Sequence, residues 1–192
     1  MYPLSRLDFA SAWERQMMGS GSYGYSSGDS QDYAQVYAVC PDMLEQDRKD
    51  PDIYDSVHGY FRNPTVFEIS ADFANGGAFR HMTRSGNNVR IDGTVMYVLT
   101  ITGKLLAGFR LNPNDANKHA PHPTLIGGLN PRVQCAGIMS FRAGKIQWIN
   151  ANSGHYKPSR KSLEKVYAYL DSLYSQHPGL FDRDSAWARG ER

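Results

Sequence analysis

The chain has 192 residues, 41% of them hydrophobic and 21% charged, with a formal net charge of +2. That length suits one domain with a sizeable core, and the composition is that of an ordinary soluble globular protein. The small charge argues against a nucleic-acid binder. The lack of a run of about 18 apolar residues argues against a spanning helix. Two widely separated cysteines, Cys40 and Cys135, argue against a disulfide framework or a metal knuckle.

The first residues, MYPLSRLDFASAWERQMMGSG, lack the basic-then-apolar order of a signal peptide. The chain is therefore expected to be cytoplasmic, or secreted without a cleaved signal peptide. Residues 1–40 read as an N-terminal arm. Within it, Leu4, Leu7, Phe9, Trp13 and Met17 suggest a short amphipathic helix. A Gly/Ser/Tyr-rich loop follows over 19–32. Residues 32–39 fit a strand or a helical turn, 43–50 a charged helix, and 50–63 a run of turns. Residues 65–70 read as a strand, and 72–93 as a loop-rich stretch carrying Arg80, His81, Arg84 and Arg90.

The pattern sharpens at TVMYVLTI. Val95, Tyr97, Leu99 and Ile101 share one face and Met96 and Val98 the other, as in a central strand. Thr102-Gly103 turns it into a hairpin with KLLAGFR. Residues 111–134 form a long loop with four prolines and two histidines, a length that often marks function. A second hairpin joins 135–141 to 145–149 through Arg142-Ala143-Gly144. Leu163, Val166, Tyr167, Leu170, Leu173 and Tyr174 then repeat at helical spacing, with Ser159 as N-cap candidate and His177-Pro178-Gly179 as the stop. The expected fold is α+β: an antiparallel sheet built from hairpins, with a C-terminal amphipathic helix packed on it. The core is placed at 64–176, and 180–192 is read as a loose tail anchored only by Trp187.

Chemistry concentrates in Ser153-Gly154-His155-Tyr156-Lys157-Pro158-Ser159, which leads into a helix start. Free amides there favour an anion, and Lys157, Arg160 and Lys161 add positive charge. An imidazole near that positive end tends to stay neutral, and a neutral imidazole accepts protons. His155, Tyr156 and His122 are therefore the catalytic candidates. Ser153, Lys157, Ser159, Arg80, Gly127 and Gly128 are the ligand-binding candidates. The bland alternative is a corner fixed by hydrogen bonds, with Lys157 and the arginines solvated and Gly127-Gly128 a turn. His119 precedes His122 by three residues, but no carboxylate or cysteine nearby completes a metal set. No Gly-rich phosphate loop of either common type occurs.

Lys104 to Gly108, His122 to Gly128, Ala136-Gly137, Gly144-Lys145-Ile146 and Ser153 to Pro158 occur in an order that has a known parallel. The stretch from about 94 to 175 resembles the Ser-Gly-His-Tyr-x-Pro core shared by plant IQ-motif calmodulin-binding proteins and C-terminal modules of bacterial polymorphic toxins and effectors. Pro123 and Thr124 stand where that family has two serines. Ile146-Gln147 lacks the trailing basic residues of an IQ motif, so calmodulin binding does not carry over. The resemblance implies an effector module whose shared polar positions are His122, His155 and Tyr156.

The expectation is a bacterial effector or toxin-type enzyme acting on a nucleotide-like or phosphorylated ligand. NAD is the cofactor that an ADP-ribosyl-transfer version would bring, although Glu68 is the one glutamate on an expected strand. Two other classes stand beside it. One is a non-catalytic module binding a protein target through the aromatic N-terminal arm. The other is a nucleic-acid binder using Arg80, Arg84 and Arg90.

Overall fold

The computed structural model describes residues 35–83, 85–112 and 115–191, with the backbone alone between 111 and 119. The expected helix over 4–18, the loop over 19–32 and Arg84 lie outside the described residues. The fold is α+β, as expected. A six-stranded antiparallel sheet is made of β1 (Tyr37–Ala38), β2 (Phe67–Glu68), β3 (Gly93–Thr100), β4 (Leu105–Gly108), β5 (Arg132–Arg142) and β6 (Lys145–Asn150). From one edge the order is β2, β4, β3, β5, and both β1 and β6 then pair with β5. Among the described residues two helices frame it, α1 (Pro41–Asp47) and α2 (Leu163–Gln176).

Strand β3 sits between β4 and β5 and is apolar on both faces, which is what a sheet covered on both sides requires. Val95, Tyr97 and Leu99 enter one core with Phe79, Phe141, Ile146 and the Leu163, Val166, Leu170 and Leu173 stripe of α2. Full burial of each such side chain contributes about 1.5–3 kcal/mol. Met96 and Val98 enter a second core with Tyr60, Leu106, Leu125, Ala136 and Tyr156. The second core is where the polar site lies. Ile101, expected to continue the strand face, is 60% exposed in the turn after β3.

Four expectations are corrected. The stretch 72–93 contains a hairpin, Ala78–Met82 paired with Asn88–Arg90, rather than being mainly loop. The long loop 111–134 is subdivided by a ladder of Leu111–Asn112 with Asp115–His119, by a 3-10 turn at His122–Leu125, and by the start of β5. Residues 180–192 are not loose over their described length. Leu180, Phe181 and Trp187 are buried in the first core, and Arg142 binds both Asp182 and Asp184. The core also begins before residue 64, because Val39, Ile53, Tyr54 and Tyr60 are buried.

The helix start differs too. Ser159 makes no side-chain cap and instead precedes a 3-10 turn, Arg160–Ser162, that feeds α2. The Ser159 amide donates to the Tyr37 hydroxyl at 3.0 Å, and that hydroxyl donates to Ser159 Oγ at 2.8 Å. Tyr37 of β1 thereby staples the beginning of the helix.

The β5–β6 turn carries Ala143 at φ 51° followed by Gly144 at φ 80°. An L-residue with a side chain pays roughly 1 kcal/mol for that left-handed conformation, whereas Asn-Gly is preferred there. Ala143→Asn is expected to raise stability by about 0.5–1 kcal/mol in urea unfolding, with the same denaturant slope. No change or a loss would mean that the turn is not strained in solution.

Candidate functional site

The site is assembled by four segments that meet on the second face of the sheet. Helix α1 ends in Asp47, which is 7% exposed although Arg48 and Lys49 beside it are exposed. Met43, Leu44 and Asp47 fall at helical spacing, so the side that buries apolar residues also carries a carboxylate inward. A bare buried carboxylate is costly and needs donors. Asp47 Oδ2 accepts the Tyr60 hydroxyl at 2.7 Å and faces His155 Nε2 at 3.0 Å. The imidazole approaches off the hydrogen-bond axis, and its buried Nε2 has no aligned partner among the described residues. The contact is thus charge against dipole or charge, at van der Waals range.

His155 is held by backbone. Its carbonyl accepts the Cys40 amide at 2.7 Å, at the start of α1. The loop around it is a tight turn. Ser153 Oγ accepts the Tyr156 amide at 3.3 Å, and the Ser153 carbonyl accepts the Lys157 amide at 2.8 Å. Lys157 takes φ 42° and its side chain is exposed. Tyr156 turns inward and is 2% exposed, its hydroxyl buried with no hydrogen-bond partner among the described residues. Burial pushes the Tyr156 phenol well above its ordinary pKa. Tyr60 is raised as well, first by burial, then by the hydrogen bond and charge of Asp47, with Tyr156 adding to it.

His122 opens the 3-10 turn and is buried. Its Nε2 lies 2.9 Å from the Gly137 carbonyl. A carbonyl only accepts, so in the neutral ring Nε2 carries the proton and Nδ1 is the unprotonated nitrogen. Gly137 has no room for a side chain, since a Cβ there would lie 1.9 Å from the Asn150 carbonyl. Burial lowers the His122 pKa to about 4. The Gly137 bond opposes this, and positive charge on His155 and Arg110 reinforces it. His122 and His155 are therefore near enough to feel each other's charge. Both rings are largely enclosed: 14% of the His155 side chain is exposed.

The other candidates are placed differently. A Cβ on Gly127 would lie 2.9 Å from the Arg62 side chain and 3.2 Å from the Tyr60 carbonyl, whereas one on Gly128 would meet open space. Gly128 exchanges backbone hydrogen bonds with Tyr60 (2.8 and 3.1 Å), and a Cβ on Gly59 would sit 2.2 Å from Gly128. These glycines let the Tyr60 segment lie directly on the turn after His122. Arg80 donates to the Asn88 carbonyl inside its own hairpin, and Ser159 is engaged by Tyr37. His155, Tyr156 and His122 are thus brought into one neighbourhood with Ser153 and Lys157, and Arg80 and Ser159 are committed elsewhere. Among the described residues, no three His, Cys, Asp or Glu side chains converge to hold a metal.

Asp47 and Tyr60 were missed by sequence reasoning. Asp47 gave a signal in its helical spacing with Met43 and Leu44. Tyr60, inside a turn-rich run, gave none. No protein-family model, curated protein or solved structure matches the chain. No helix among the described residues is long and apolar enough to cross a membrane.

The depressed His122 pKa links to stability. The unfolded imidazole takes a proton near pH 6.5, and the folded one only near pH 4. The unfolded state therefore binds more protons in that window. The His122 contribution is complete above about pH 6.5 and is lost as pH falls towards 4, by on the order of 3 kcal/mol. Comparing His122→Gln with the parent by urea unfolding from pH 7 to 4 isolates the effect. The variant is expected to lose less stability across the window, and parallel curves would contradict the assignment.

Proposed function

We propose that the protein is an effector-type enzyme that uses acid–base chemistry on a phosphorylated or nucleotide-like ligand. The observation that carries this reading is the enclosed carboxylate–imidazole contact between Asp47 and His155. An imidazole with Nε2 3.0 Å from a carboxylate can offer Nδ1 to a hydroxyl or a water molecule as a proton acceptor. Tyr60 holds the same carboxylate oxygen and restricts its rotation. The buried Tyr156 hydroxyl, which has no hydrogen-bond partner among the described residues, supplies a hydrogen-bond donor. Exposed Lys157, in the same turn, supplies the cation that an anionic ligand would meet. The neutral His122 completes the polar wall from the β5 side.

A second reading, a non-catalytic module that binds a protein target, is favoured by a different observation. Val57, Phe73 and Leu129 are exposed apolar side chains, at 70%, 59% and 54%.

One substitution separates the two. Removing a buried hydroxyl that has no partner costs a fold nothing and relieves an unmet desolvation. Tyr156→Phe is therefore expected to be as stable as the parent or more stable, by up to about 1 kcal/mol. The readout is a thermal-shift screen of NAD, nucleotides and sugar phosphates on the parent, Tyr156→Phe and His155→Gln, because a ligand bound only to the folded state raises its melting temperature. The catalytic reading expects at least one of these compounds to stabilise the parent and to be turned over by it. It expects Tyr156→Phe and His155→Gln to lose turnover. No stabilising compound, with both substitutions changing the melting temperature alone, would leave the corner as a structural joint.

A further inference from the structure

Just after α1 the chain forms an open hollow of about 420 Å³, lined by Arg48, Lys49, Pro51, Tyr54, Asp55, Ser56 and Phe61. The size lies within the range of small-ligand sites. Its composition is selective. Two cations, Arg48 and Lys49, stand at the end of α1, and both are exposed. The Arg48 guanidinium lies over the Tyr54 ring, 5.7 Å from its centroid. Tyr54 is itself fixed edge-on to Tyr60 at 5.0 Å. The Arg48 cation thus sits against the Tyr54 ring while its side chain stays exposed. Phe61 adds an aromatic ring that is 41% exposed.

One ion pair and one carboxylate of the lining bear on these cations. Lys49 pairs with Glu45 at 3.5 Å, but both side chains are about three-quarters exposed (74% and 77%). Such a surface pair is weak and yields readily to a better anion. Asp55 is the one carboxylate in the lining. Its Oδ1 accepts the amides of Val57 and His58 at 2.7 and 3.2 Å, and its Oδ2 faces His58 Nδ1 at 2.9 Å. Its charge is spent on its own turn.

We propose that this hollow is a binding site for a planar aromatic anion, of which a nucleoside monophosphate is the type. The phosphate would meet Arg48 and Lys49, and the ring would lie against Phe61 and the Arg48 plane. Flat guanidinium and aromatic faces suit a base, and the guanidinium fork suits a phosphate. The proposal does not rest on the catalytic reading of His155, which lies on the inner side of the same helix end.

The test is a titration of the whole chain with adenosine monophosphate, adenosine and inorganic phosphate, followed by backbone amide chemical shifts. The expected result is saturable shifts at Arg48, Lys49, Ser56 and Phe61 with the monophosphate, and binding about tenfold or more weaker with adenosine or phosphate alone. Arg48→Gln and Phe61→Ala should each weaken the monophosphate by about tenfold, with melting temperatures confirming that both variants fold. Equal binding of inorganic phosphate would overturn the aromatic half of the proposal, and equal binding of adenosine the anionic half. No saturable shifts at these amides would overturn it outright. Shifts confined to 153–159 would overturn it while supporting a ligand at the His155 loop.

Discussion

The second face of this molecule depends on one buried carboxylate. Asp47 is carried inward by the amphipathic spacing of α1, and a charge in that position must be compensated. Two segments supply the compensation. The Tyr60 hydroxyl comes from the turn region, and the His155 imidazole comes from the loop after β6. Neither segment has enough regular structure to place itself. The backbone bond from Cys40 to the His155 carbonyl and the paired backbones of Tyr60 and Gly128 bring the hydroxyl and the imidazole up to the carboxylate. The carboxylate then fixes how α1, the Tyr60 segment and the 153–159 turn lie on the sheet.

The sheet makes that arrangement possible because its central strand is apolar on both sides. One face is filled by α2 and the C-terminal segment through Phe181 and Trp187. Polar atoms on that side find partners, as the Tyr97 hydroxyl does in the Asn150 carbonyl and the Trp187 indole in Asp171. The other is covered by short, irregular pieces, which bring tyrosines, a histidine and an aspartate with them. Irregular cover carries more polar groups to bury, and so it is the natural home for chemistry. The hydroxyl of Tyr156 shows the strain of that choice. It is enclosed and unmatched among the described residues, where a phenylalanine would fill the same space.

What could be read from the sequence follows from period and proximity. The two faces of β3 and the stripe on α2 were legible because alternation and helical spacing are local patterns. The β5–β6 turn was legible from Gly144. The hairpin at 78–90 was not. Its Arg80, His81 and Arg90 look like loop residues, and its pairing is set by Phe79 packing under Gly144. The packed tail was missed because aspartates 182 and 184 looked solvated, whereas Arg142 of β5 holds them both. At the site, the Ser-Gly-His-Tyr turn stood out because its reactive side chains are contiguous. Its carboxylate did not, because Asp47 comes from the opposite half of the chain and only the fold joins them.

The central claim is therefore an energetic one: Asp47 and His155 stabilise each other in the folded protein. A double-mutant cycle with Asp47→Asn, His155→Gln and the double variant, measured by urea unfolding at pH 7, tests it most directly. The account predicts that the two losses overlap, with a coupling of about 1 kcal/mol or more. Strict additivity of the two single losses would contradict it, since the imidazole and the carboxylate would then be neighbours without an interaction.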